Sequence, residues 1–158
     1  MFGLFKSAPF SDPTLGELTR SRGLWRGMIL VDSGLTPLAL AGTRAAPDPA
    51  ALAAAREVPT QLVDWRQAIE TALYEHYEPY AESLAAGEIP AAGESFPSIT
   101  SPADVWSRVA LEYVSITPLG GALTTELGYT TAWDDEHTLG ARFQHGAFLE
   151  LCGSVLRP

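Results

Sequence analysis

The longest regular pattern lies in the middle of the chain. Leu62, Trp65, Ile69, Leu73, Tyr77, Tyr80 and Leu84 recur three or four residues apart, with Asp64, Glu70, Glu75, Glu78 and Glu82 between them. That spacing puts the apolar side chains on one stripe of an amphipathic helix over about residues 60–86. Pro79 falls inside the pattern and predicts a kink or break near His76, because proline lacks an N–H and its ring crowds the preceding turn. Gly87 is a natural stop. Upstream, Asp48-Pro49 reads as an N-cap with proline at the first helical position, and AALAAARE continues the helix until Val58-Pro59 interrupts it. Downstream, Ser101-Pro102-Ala103-Asp104 reads as a capping box that opens a short helix through about Arg108. Between the helices, EIPAAGESFPSIT (88–100) is a Pro/Gly/Ser-rich loop, long for a compact domain.

The flanks follow the period of two that belongs to strands. LWRGMILV (24–31) and TPLALAG (36–42) predict a hairpin about the Asp32-Ser33-Gly34 turn, and the segment FSDPTLGELTRSRG before them carries turn signals. Pro37 cannot donate to a ladder, so it belongs at a strand start or on an edge. From residue 109 onward, ALEYVSITPL, LTTELGYTTAW, TLGARFQ and AFLELCGSVL predict four antiparallel strands. Their turns fall at Pro118–Gly121, Asp134–His137 and His145-Gly146. Leu123, Thr125, Leu127, Tyr129, Thr131 and Trp133 share one face; Leu139, Ala141 and Phe143 share another, with Arg142 and Gln144 opposite. The fold class is therefore α+β: an antiparallel sheet, made of an N-terminal hairpin and a C-terminal four-stranded meander, packed against a long central helix. The sheet is either one curved layer or two packed ones. We expect residues 1–158 to form one domain, since 158 residues leave little room for two.

Composition narrows the function classes. The net charge is −9, with one lysine (Lys6) beside nine arginines, which opposes non-specific binding to nucleic acid or an anionic membrane and suits a basic protein partner. Cys152 is the only cysteine, so no intrachain disulfide forms, and the opening MFGLFKSAPF lacks an apolar run of signal-peptide length. Both features point to a cytoplasmic protein.

The densest group of ionisable residues is WDDEH, Trp133 to His137. Four consecutive polar residues on a tight turn cannot converge on one ion, and strand alternation would point Asp134 and Glu136 away from Asp135 and His137. A solvated turn in which Asp134 holds the backbone two residues on explains the same residue types. Trp133, Asp134, Glu136 and His137 are nonetheless the candidate ligand or partner contacts. His76 belongs at the edge of the helical stripe, hydrogen-bonded and partly buried. His137 and His145 should flank one strand, about 25 Å apart at the rise of an extended chain, and the other histidines lie out of reach of the hairpin. Cys152 reads as a buried structural thiol, because nothing near it in sequence supplies a base. No GxSxG, GxGxxG or P-loop is present, so no catalytic residue, metal ligand or cofactor is expected. Glu75, Glu78 and Glu82 read as the solvated side of the helix. Trp25, Trp65, Trp106 and Trp133 fall on four different elements and read as pins joining one core, the alternative being an exposed aromatic groove that binds a peptide.

FSDPTLGEL followed by LWRGMI, and YTTAWDDEHTLGARFQHGAFLELCGS at the other end, resemble the two ends of a group of small uncharacterised bacterial domains. The matching positions are Phe10, Asp12, Pro13, Gly16, Leu18, Trp25, Gly27, Trp133, Asp134, Glu136, His137 and Gly140. Such domains are similar to those associated with immunity proteins of bacterial toxin systems. The resemblance covers about a third of the chain and implies a binding role, with no catalytic residues to carry over. Three functions remain open: a non-enzymatic acidic interaction module, immunity-like in kind; a metal-dependent or small-molecule-binding protein or enzyme centred on WDDEH; and a homo-oligomer paired through an edge strand.

Overall fold

The computed structural model describes residues 6–88 and 96–158. Eight strands pair in sequence order: β1 (Phe10–Asp12), β2 (Gly16–Ser21), β3 (Leu24–Val31), β4 (Gly34–Leu40), β5 (Val109–Leu119), β6 (Ala122–Thr131), β7 (Leu139–Gln144) and β8 (Ala147–Cys152). Between β4 and β5 run α1 (Pro49–Ala85) and a short 3-10 helix (Pro102–Arg108). The α+β class and the long covering helix are as the periodicities predict. The N-terminal hairpin, however, is half of a four-stranded meander. β1 and β2 were hidden because their residues, FSD and GELTRS, are largely polar and lie at the sheet edge. The middle of the loop expected over residues 88–100 lies outside the described residues.

Every neighbouring pair is antiparallel except β4 and β5, which pair in parallel through Leu38↔Val114, Ala39↔Ser115 and Leu40↔Ile116. Parallel neighbours need a long crossover, and α1 supplies it. Pro37 sits just before this parallel ladder, so its missing N–H removes no bond to β5. The registers align apolar residues across the sheet. One row runs Gly27, Leu38, Val114, Leu127, Ala141, Leu151, and the next runs Trp25, Leu40, Ile116, Thr125, Phe143, Phe148. The two apolar sets assigned to separate faces, Leu127 with Tyr129 and Ala141 with Leu139, are thus cross-strand partners on one face. That face meets α1 through Ala51, Ala55, Val58, Trp65, Ile69, Leu73 and Tyr77, all buried. Each such large side chain contributes about 1.5–3 kcal/mol by leaving water.

The helix begins as expected, with the Asp48 carboxylate accepting from the Ala50 N–H at 2.8 Å. It ends at Gly87 (φ 72°), where the Glu88 and Gly87 N–H groups return to the Ser83 and Leu84 carbonyls. It does not stop at Val58-Pro59, nor break near His76. Both prolines are exposed, and the buried stripe continues across each of them. Packing against the sheet outweighs the loss of one backbone bond at each site. The capping box also forms: the Asp104 carboxylate accepts from the Ser101 N–H (3.0 Å), although the helix it opens is of the 3-10 type.

The four tryptophans do join the layers, and each indole N–H has a partner. Trp25 donates to the Thr43 carbonyl, Trp65 to the Gly146 carbonyl, Trp106 to Glu70 and Trp133 to His76. Trp65 also stacks on Phe143 with centroids 4.0 Å apart. On the opposite face of the sheet Tyr113 donates to Glu126 (2.6 Å), and Arg142 bridges Glu126 and Glu150. Gly128 leaves room there for the Tyr113 ring, which lies 2.2 Å from where a Cβ would stand. Cys152, expected to be buried, is half-exposed, because β8 is an edge strand.

Candidate functional site

The segment between β6 and β7 is a loop, so strand alternation does not apply to it. Trp133 and Asp134 turn inward and are buried, while Asp135, Glu136 and His137 are exposed. The Asp134 carboxylate is the hub. Its Oδ1 accepts from the backbone N–H groups of Glu136 and His137, both at 3.2 Å. Its Oδ2 accepts from the Tyr80 hydroxyl at 2.9 Å, and the His137 Nδ1 lies 2.9 Å from both oxygens. The Asp134 N–H donates to the Thr131 hydroxyl. Burial pushes the Asp134 carboxyl up, but the bonds from Tyr80, His137 and the Glu136 N–H outweigh it and hold it below its ordinary value. Tyr80 is pushed up, first by its burial and then by the adjacent carboxylate.

His76 corrects a sequence expectation. It is not out of reach of the hairpin: its Nδ1 accepts from the Trp133 indole N–H at 3.1 Å. An accepting Nδ1 requires neutral imidazole. Burial lowers the His76 pKa, the Asp134 charge opposes that, and His137 adds to it. The residues that sequence reasoning missed, His76 and Tyr80, are one helical turn apart on α1. Their position at the edge of the apolar stripe, one turn apart, was the available signal. The second correction concerns direction: Asp134 and His137 face each other, because the loop turns back on itself.

Chemically, Asp134 orients an imidazole whose Nε2 has no partner among the described residues and whose side chain is 43% exposed. Such an imidazole can hold a ligand atom. Among the described residues no serine or cysteine side chain bonds to His137, and no three His, Cys, Asp or Glu side chains gather where a metal ion could sit. Glu136 contributes only its backbone N–H to the hub.

The other sequence resemblance, at the N-terminus, also has a physical basis. Asp12 accepts from the Thr14 and Leu15 N–H groups and pairs with Arg56 of α1. Gly16 adopts φ 77°, and a Cβ on Gly27 would stand 2.5 Å from Leu18. Residues 16–154 match the family described as a domain of unknown function, DUF6985. The chain belongs to that family. No curated protein and no solved structure gives a match. Among the described residues, no helix of this family member is long and apolar enough to cross a membrane.

Proposed function

We propose that this family member is a non-enzymatic acidic module that docks a basic protein partner through the second half of α1 and the adjoining loop. One observation carries the reading. Residues 67–88 hold Glu70, Glu75, Glu78, Glu82 and Glu88 and no lysine or arginine. Acids near a helix C-terminus oppose its dipole, so their placement costs the helix stability. Glu75, Glu78 and Glu82 are exposed, as are Asp135 and Glu136 on the loop that Tyr80 ties to the same helix. Among the described residues none of these five has an ion-pair partner. Charge unpaired among the described residues and unfavourable to its own helix suits an outside partner of opposite sign. The immunity-like role that the resemblance implies is of this kind. Capture at low salt, followed by affinity measurement across a salt series, tests it. The partner's affinity should fall about ten-fold or more between 50 and 200 mM salt, and again in the triple variant Glu75→Gln, Glu78→Gln, Glu82→Gln. Affinity indifferent to both overturns the reading.

A second reading rests on the Asp134–His137 pair with its free Nε2: the loop binds a metal ion or small molecule through His137. Calorimetric titration with zinc should then give heat in the wild type and none in His137→Ala. No heat in the wild type removes this reading.

A further inference from the structure

A cleft of about 150 Å³ opens between α1, the β3–β4 turn and the 3-10 helix. It is separate from the loop and acidic face described above. Its floor is Tyr129, only 4% exposed. The other two buried tyrosines have committed hydroxyls: Tyr77 donates to the Pro97 carbonyl and Tyr113 to Glu126. The Tyr129 hydroxyl has no hydrogen-bond partner among the described residues, yet it lines a space large enough to hold one. Among the described residues the one buried side-chain polar atom without a partner is the Arg20 Nε, so the Tyr129 ring is buried while its hydroxyl opens on the cleft, where it can bond whatever occupies that space.

The rim carries one charge of each sign. Arg66 lies over the Trp106 ring, 4.3 Å from its centroid, and Asp32 stands on the β3–β4 turn with φ 53°. Neither has an ion-pair partner among the described residues, and they do not pair with each other across the cleft. Both act on the Tyr129 hydroxyl: burial raises its pKa first, Asp32 raises it further, and Arg66 opposes. The Trp106 indole is locked as a wall by its bond to Glu70 at 2.6 Å. Leu62 and Leu111 complete an apolar lining.

From this arrangement we propose that the cleft binds a small zwitterion with an apolar body, a free α-amino acid of the leucine class. Arg66 and the Tyr129 hydroxyl hold the carboxylate, Asp32 holds the ammonium, and Leu62, Leu111 and Trp106 enclose the side chain. A simple anion meets Asp32 unpaired, and a simple cation meets Arg66. Only a molecule with both charges satisfies the rim. The volume is similar to cavities that admit a single six-membered ring, which sets the upper size.

Calorimetry on the full chain with L-leucine, 4-methylpentanoate and 3-methylbutylamine tests the proposal. These probes share the apolar body and differ only in which charges they carry. Leucine should bind at one site, with each single-charge probe weaker by roughly ten-fold or more. Tyr129→Phe and Arg66→Gln should each weaken leucine by roughly ten-fold while the melting temperature of the unliganded protein stays close to wild type. The triple glutamate variant of α1 should bind leucine as the wild type does, which separates this site from the docking face. Equal affinity for all three probes, or leucine affinity unchanged in Tyr129→Phe, overturns the zwitterion assignment. Absence of heat with every probe at millimolar concentration shows a cleft that holds only water and overturns the site.

Discussion

Asp12 sits at the turn between β1 and β2, and Arg56 reaches it from the first third of α1, 44 positions away in the chain. The Arg56 guanidinium, with the Leu15 and Thr14 N–H groups, holds the carboxyl at about 2 against an ordinary 3.8, despite opposition from its burial. The folded state therefore binds this proton less readily than the unfolded chain does. The stability it contributes is complete above about pH 4 and is lost as the pH falls toward 2. Arg56→Gln should remove most of that acid-range loss and lower the urea midpoint at neutral pH, read from urea denaturation at both pH values. A variant with the wild-type acid profile would show that another carboxylate governs it. Asp12 was legible as a turn residue, since Asp-Pro is a turn signal. Its partner was not, because nothing local to either residue records a contact across 44 positions. The same holds for His76 and Trp133, 57 positions apart, and it explains why the histidine was placed outside the hairpin site.

α1 shows where element-level rules hold and where packing overrides them. Its cap at Asp48 and its stop at Gly87 were readable because capping depends on a few adjacent backbone groups. Its continuity was not. Local rules treat Val58-Pro59 and Pro79 as breaks, yet a buried stripe from Ala51 to Tyr77 holds a 37-residue helix together. Pro79 is exposed and outside both the Trp133 contact and the cleft, so its cost is not offset by any side-chain contact seen there. Pro79→Ala should therefore stabilise the protein by about 1–3 kcal/mol, measured by denaturant unfolding. A loss of stability instead would mean that the helix uses the proline to follow the sheet. The first three C-terminal strands were legible to within a residue or two, and the last began where expected but ends at Cys152 rather than near Leu156; their alternation is long, and the turns carry Gly120-Gly121 and His145-Gly146 at positive φ.

Across the molecule, two antiparallel meanders are joined into one eight-stranded sheet by a single parallel pair at its centre. One stretch of α1 meets strands of both meanders. Ala55 and Arg56 lie with Ile29 and Leu30 of β3, while Ala53, Ala54 and Glu57, on the same two turns, lie with Leu123, Thr125 and Phe143 of β6 and β7. Strands far apart in the sheet are therefore close around one helical segment. The β3–β4 turn, the 3-10 helix and Tyr129 meet α1 at one cleft. The acidic half of α1 lies outward, beside the 132–138 loop.

What could be read from the chain alone was what depends on neighbours in sequence: the periods of the helix and strands, the caps and turns, the charge of −9, and the α+β class. What required the tertiary structure was what depends on strand order and register. The parallel β4–β5 pairing, the shared face of β6 and β7, the His76–Trp133 bond and the cleft that joins Tyr129 to Asp32, Arg66 and Trp106 all arise from contacts between segments far apart in sequence. Such contacts are set by how whole elements bury their apolar faces together, and no local pattern of residues encodes them.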